Sequence, residues 1–214
     1  MISKKLFLII GLFVFSYNAH AQFGLPSILG AIAGGGAGQS NAAEDVISSA
    51  EETLMKFIDS EVKIAEALGV YNLSQEHQDL LARRAKGDVA ARKEIISSSI
   101  TISNGLNESI KKGIEAKKTL DVSQKKLAAE GTLNYVEASL SALAMTQAIQ
   151  AIVSDPASLL TAGVESNLRL VAITATLPKM IAQSISSSST IIKYMEANGV
   201  DVSKAKKSAE KLGK

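Results

Sequence analysis

The chain has 214 residues, with 23 Lys and Arg against 21 Asp and Glu, two His and no Cys. That composition excludes a disulfide framework and thiol catalysis, and it supplies zinc chemistry poorly. A formal net charge of +2 gives no support for the strong positive field that nucleic-acid binding needs.

The opening MISKKLFLIIGLFVFSYNAHA places Lys4 and Lys5 before an apolar run from Leu6 to Phe15 and ends in the small-residue pattern Ala19-His20-Ala21. This order predicts a secretory signal over residues 1–21, cleaved before Gln22, because the run is too short to span a bilayer as an anchor. Removing Lys4, Lys5 and His20 leaves 21 cations against 21 anions, and His77 as the one remaining histidine. Mature net charge is then zero.

Residues 22–41 read as a flexible leader. Phe23 to Ala33 is apolar, and Gly34 to Gly38 is a tether. Phe23, Leu25, Ile28, Leu29 and Ile32 are candidate contacts for a membrane interface or a partner, since eleven residues cannot cross hydrocarbon but can lie on a surface. GGGAG lacks the preceding strand and following GK[ST] that a phosphate loop requires.

From Ala42 the pattern is helical. Ile47, Ala50, Leu54, Ile58, Ala65 and Leu68 recur on one face, with Phe57 and Val62 broadening it, and Gly69 is the expected stop. Seven acids between residues 44 and 66 read as the solvated remainder of that helix. Ser74 is the expected cap of a short helix to about Ala85, and Gly87-Asp88 makes a break and a new cap. Ile96, Ile100, Leu106, Ile110 and Ile114 then predict a long helix to about Thr119, with Gly105 and Gly113 weakening it and a kink expected near Asn104-Gly105.

Asp121 or Ser123 caps the next helix, which runs to about Val153 with apolar residues on most sides, as in a buried helix. Asp155-Pro156 predicts a restart, with Leu168, Val171 and Ala175 carrying the helical period and a bend expected before Pro178. A further helix is expected over 179–197, ending at Asn198-Gly199, followed by a short lysine-rich helix from Asp201 or Ser203. The serine tracts ISSSITI (96–102) and ISSSSTI (185–191) do not recur with a regular period, so a solenoid is not indicated. Their small side chains allow close helix approach, and each hydroxyl can bond to the preceding turn. The expected fold is all-α: an elongated bundle of five to seven helices over residues 42–214, with a short terminal helix and a flexible apolar N-terminal leader.

No motif carries catalysis. His77 has no second ligand or nucleophile at a defined spacing, and neither HExxH nor GxSxG occurs. The arginines of LLARRAKGDVAARK (80–93) lack a defined recognition helix, so no nucleic-acid partner is expected. Lys111, Lys112, Lys117, Lys118, Lys125 and Lys126 form a candidate basic ridge for an anionic lipid or acidic partner. Residues 131–192 hold only Glu137, Asp155, Glu165, Arg169 and Lys179 as charges, which suits the centre of a bundle.

Together these features predict a noncatalytic exported helical protein without cofactor or metal, found in the periplasm or outside the cell. Its expected partners are envelope or extracellular proteins, further copies of itself, or a membrane surface touched peripherally. The alternative expectation is a membrane-active or pore-forming protein that uses the leader and the 131–192 region.

Overall fold

A computed structural model describes residues 39–117, 119–154 and 156–212 of the chain. The apolar period that begins near Ile47 becomes α1, Gln39–Ala67, which starts three residues ahead of the expected Ala42. Its inward residues Ile47, Leu54, Phe57, Ile58 and Ile64 are buried, as is Leu68 just past its end, and each large side chain removed from water contributes about 1.5–3 kcal/mol before entropy is counted. Gly69 ends the helix at φ 63°, a conformation that costs a Cβ-bearing residue strain.

The following helices are α2 (Gln75–Ala85), α3 (Val89–Glu115) and α4 (Val122–Val153), then α5 (Pro156–Ala197) and α6 (Ser203–Ala209). Three of the expected caps form, whereas α6 begins after Val202 without a side-chain cap bond and the expected cap Asp155 lies outside the described residues. Ser74 Oγ accepts from the His77 amide, Asp88 from that of Ala91, and Asp121 from that of Gln124, whose side chain in turn accepts from the Asp121 amide. This last arrangement is a capping box, which satisfies two donors that the first turn would otherwise leave open.

α1 is the hub, packing against α3, α4 and α5. Phe57 meets Tyr135 edge to face, and Lys63 pairs with Glu130 at 2.5 Å, so α1 and α4 run antiparallel. Glu61 meets Ser103, and Leu68 lies beside Gly113, so α1 and α3 run parallel. α5 returns antiparallel along α4, which brings Ser187 to Tyr135, and α6 folds onto α4. The described residues thus form an all-α six-helix bundle with a short C-terminal helix.

Two glycines set the closest approaches. A Cβ on Gly131 would sit 3.0 Å from the Lys63 Cβ and 3.0 Å from the Ile64 Cγ1, and one on Gly113 would sit 3.1 Å from the Leu68 Cβ. α1 therefore lies almost on the backbone of α4, and the turn that follows it almost on that of α3. Their low helix preference is offset by the packing that their missing side chains permit.

Three expectations change. α3 runs through Asn104-Gly105 as one helix and ends at Glu115, not Thr119. α5 passes through Pro178 without ending, anchored on either side by buried Leu177, Met180 and Ile181. Its irregularity is instead at Gly163, with φ 79° and ψ 171°, a backbone region essentially reserved for glycine.

Candidate functional site

Among the described residues, a polar cluster centred on Glu61 lies in the bundle interior. Glu61 occupies the inward register of α1, between Ile58 and Ile64, and is 1% exposed. Ser103 Oγ donates to its Oε1 at 2.7 Å and Asn107 Nδ2 donates to the same oxygen, while Oε2 has no partner among the described residues. Burial pushes this carboxyl up to about 8, against the opposing effect of the two donors. Below that pH it carries a proton.

Nearby, the hydroxyls of Tyr135 and Ser187 share a hydrogen bond at 2.8 Å. Burial, and then the charge of Glu61, hold the Tyr135 hydroxyl in its neutral form. The cluster bonds α1 to α3 and α4 to α5 at the level where all four helices pack. Ser103 Oγ is thus bonded to a buried carboxyl whose second oxygen is left open, in a cluster enclosed by the packed helices.

The second polar network lies at the start of α1. Arg169 of α5 donates from Nε to Glu51 Oε1 at 2.7 Å and from Nη2 to Oε2 at 2.9 Å, and its Nη1 reaches Glu44. Ser166 Oγ donates to the other Glu44 oxygen at 2.9 Å. The Arg169 bond holds the Glu44 carboxyl below its ordinary range, and the Glu51 bonds hold the guanidinium above its own. This fork-to-fork geometry fixes α5 on α1 more firmly than an exposed ion pair would.

Neither Glu51 nor Glu61 is a solvated acid, as the sequence reading took them to be. A signal for Glu61 was present: it lies three residues from both Ile58 and Ile64, in line with the apolar stripe. Arg169, read as a bare charge, has its role only through the tertiary fold.

Of the predicted basic ridge, Lys111 and Lys112 occupy the last turns of α3, Lys117 the turn that follows, and Lys125 and Lys126 the first turns of α4. All five lie at one end of the bundle, and Lys118 falls outside the described residues. α6 adds Lys204 and Lys207 at that end, where Lys125 Nζ comes within 3.4 Å of a Cβ built on Gly199. The acids Asp121, Asp201 and Glu210 are interspersed, and a depression of about 390 Å³ between Glu196 and Glu210 is lined mainly by charged side chains.

Phe23, Leu25, Ile28, Leu29 and Ile32 lie outside the described residues. His77 sits half-exposed in the first turn of α2, where its amide is capped by Ser74. No group of three or more His, Cys, Asp or Glu among the described residues is placed to hold a metal ion.

Leu168, Val171 and Ala175, which carried the helical period in the sequence, face outward. Leu170, Ile173 and Leu177 fill the core instead. Val164 is 79%, Leu168 67% and Val171 66% exposed, and together they make an apolar line on the outer side of α5. Among the described residues α4 alone is long and apolar enough to cross a membrane, and half of its apolar window is buried within the bundle. No protein-family model, curated protein or solved structure matches this chain.

Proposed function

We propose that this chain is an exported, noncatalytic helical protein that assembles with other proteins of the cell envelope or extracellular space. The observation that carries this reading is the exposed line Val164, Leu168, Val171 on a bundle whose interior polar groups are largely bonded to each other. Large apolar side chains aligned on a surface favour a covering partner, because leaving them in water forfeits the free energy their burial would contribute. The N-terminal pattern of residues 1–21 supports export. The basic end provides a second contact surface for an acidic partner or an anionic membrane.

The test is recovery of the chain from its native compartment, with N-terminal sequencing and identification of what elutes with it. A chain that begins at Gln22 and elutes in a defined complex supports the reading. A chain retained in the cytoplasm, or exported and eluting alone at monomer size, overturns it.

A membrane-active reading is favoured by one observation, the length and apolarity of α4. It requires α4 to leave the bundle, breaking the packing around Tyr135. Dye release from anionic liposomes tests it, and intact liposomes at saturating protein would sink it.

A further inference from the structure

The exposed apolar line on α5 has a period of its own. Val164, Leu168, Val171, Ala175, Pro178, Ala182 and Ile185 follow one another at intervals of four and three residues. That alternation averages 3.5 residues and is the repeat of a helix seam built to receive a second helix. From Val164 to Ile185 it extends for about 31 Å along α5. This is a line about three heptads long, not an isolated exposed residue.

The line is separate from the face that α5 buries. Leu170, Ile173, Leu177, Met180 and Ser184 point into the bundle, while Val164, Leu168 and Val171 remain on the opposite side, mostly in water. α5 thus carries two apolar faces, and the described residues of a single chain cover one of them. Ala175 and Ala182 are small, so a second helix can approach closely. Pro178 has no amide hydrogen to leave unsatisfied in the seam.

Charge placement selects the occupant. Glu165 and Lys179 are fourteen residues apart, two full heptads, and each directly follows a seam residue, so both lie along the same edge of the line. In an antiparallel pair of identical helices this edge meets itself, which sets acid against base twice. A parallel pair turns Lys179 toward Thr174 and gives neither charge a counterion. Flanking charges of this kind determine both partner and orientation in paired helices. Glu165 is held in the single chain by Lys93 at 2.7 Å, but both side chains are well exposed, so the bond exchanges readily with water or another lysine.

We infer that this face of α5 is the contact between two copies of the chain, packed antiparallel so that Glu165 of each meets Lys179 of the other. The contact is isologous, the same patch on both copies, and it closes on itself as a dimer. The inference rests on the assembly reading above and names the partner for one of its surfaces.

The absence of cysteine makes the test direct, since Val171→Cys places a single thiol near the two-fold axis. Under mild oxidation of the purified full chain, Val171→Cys is expected to form a disulfide-linked dimer several-fold faster than Val122→Cys, whose thiol would replace another highly exposed valine, on α4. By analytical ultracentrifugation the unmodified chain is expected to be a dimer, and Leu168→Glu a monomer with unchanged helical circular dichroism. Glu165→Lys and Lys179→Glu singly are expected to weaken the dimer several-fold, and the double variant to restore it.

A dimer that persists in Leu168→Glu overturns the inference and leaves self-assembly through another surface standing. A monomeric unmodified chain also overturns it, and assembly with a different protein is then decided by the complex recovered from the native compartment. A monomer whose Val171→Cys thiol resists maleimide would assign the face to the chain's own 23–33 segment, which likewise overturns the inference.

Discussion

Arg169 holds both carboxylate oxygens of Glu51, Nε to Oε1 at 2.7 Å and Nη2 to Oε2 at 2.9 Å, across 118 positions of sequence. Glu51 is 7% exposed, so this fork is its principal compensation for leaving water. The pair ties the first half of α1 to α5 close to Leu168 and Val171.

Removing the arginine leaves a buried carboxylate without its donors. Arg169→Met is expected to destabilise the chain by about 2 kcal/mol, a fall of about 6 °C in midpoint for a chain of this size. Glu44→Gln, at the more exposed arm of the network, should cost under about 1 kcal/mol. Urea unfolding of both variants checks the order, and equal losses would contradict it. Glu51→Gln added to Arg169→Met should recover part of the loss, since it removes the stranded charge.

The same physics acts on Glu61 with opposite sign. Its carboxyl titrates near 4.5 in the unfolded chain and at about 8 in the bundle, so the folded state holds a proton that the unfolded state has released. The stability this contributes is fully present below about pH 4.5 and is lost as pH rises to about 8, at up to about 1.4 kcal/mol per unit. Glu44, Asp88, Asp121, Glu130, Glu165 and Asp201 are shifted down, so their contribution is present above the ordinary carboxylate range and is lost as pH falls below it. Stability should therefore peak near pH 5. Glu61→Gln should remove most of the decline between pH 5 and 8, and a variant with the same slope as the unmodified chain would contradict this.

Two glycines on outwardly similar helices should respond in opposite directions. Gly105→Ala meets only the Leu73 Cδ2, at 3.6 Å, an ordinary contact, so the better helix former should stabilise by about 0.5–1 kcal/mol. Gly131→Val drives side-chain atoms into Lys63 and Ile64, already 3.0 Å from a single Cβ, and should destabilise by about 2 kcal/mol or more. Thermal midpoints of the two variants, measured side by side, decide it. A Gly131→Val chain as stable as the parent would mean that α1 and α4 do not cross there.

Helix starts were legible because their signals are local. Ser74, Asp88 and Asp121 each pair with an amide three residues on, a relation that sequence spacing fully specifies. Helix ends and breaks were less so. Pro178 carries an intrinsic penalty, but Leu177, Met180 and Ile181 hold the helix on both sides through contacts that no local rule reports. Gly163 sits inside a helical pattern and takes a conformation that a neighbouring-residue reading does not demand.

The candidate surfaces divide along the same boundary. The lysines of the α3–α4 turn were findable because they are sequence neighbours, whereas Lys204 and Lys207 join that end only through the packing of α6 on α4. Leu168 and Val171 were read with the helical period of α5, yet a helix with two apolar faces has two such periods. Leu170, Ile173, Leu177, Met180 and Ser184 follow the same alternation of three and four residues, so spacing alone does not tell the outer face from the core.

Assembly in the exported state is the central claim, and cross-linking in intact cells with a small membrane-impermeant, amine-reactive reagent tests it most directly. The reagent reaches exposed lysines such as Lys111, Lys126 and Lys179 only outside the cytoplasmic membrane. The account predicts a cross-linked species whose mass spectrum contains a chain beginning at Gln22 joined to a second copy or to another envelope or extracellular protein. A chain that remains unlabelled, or is labelled only as a monomer, would contradict it.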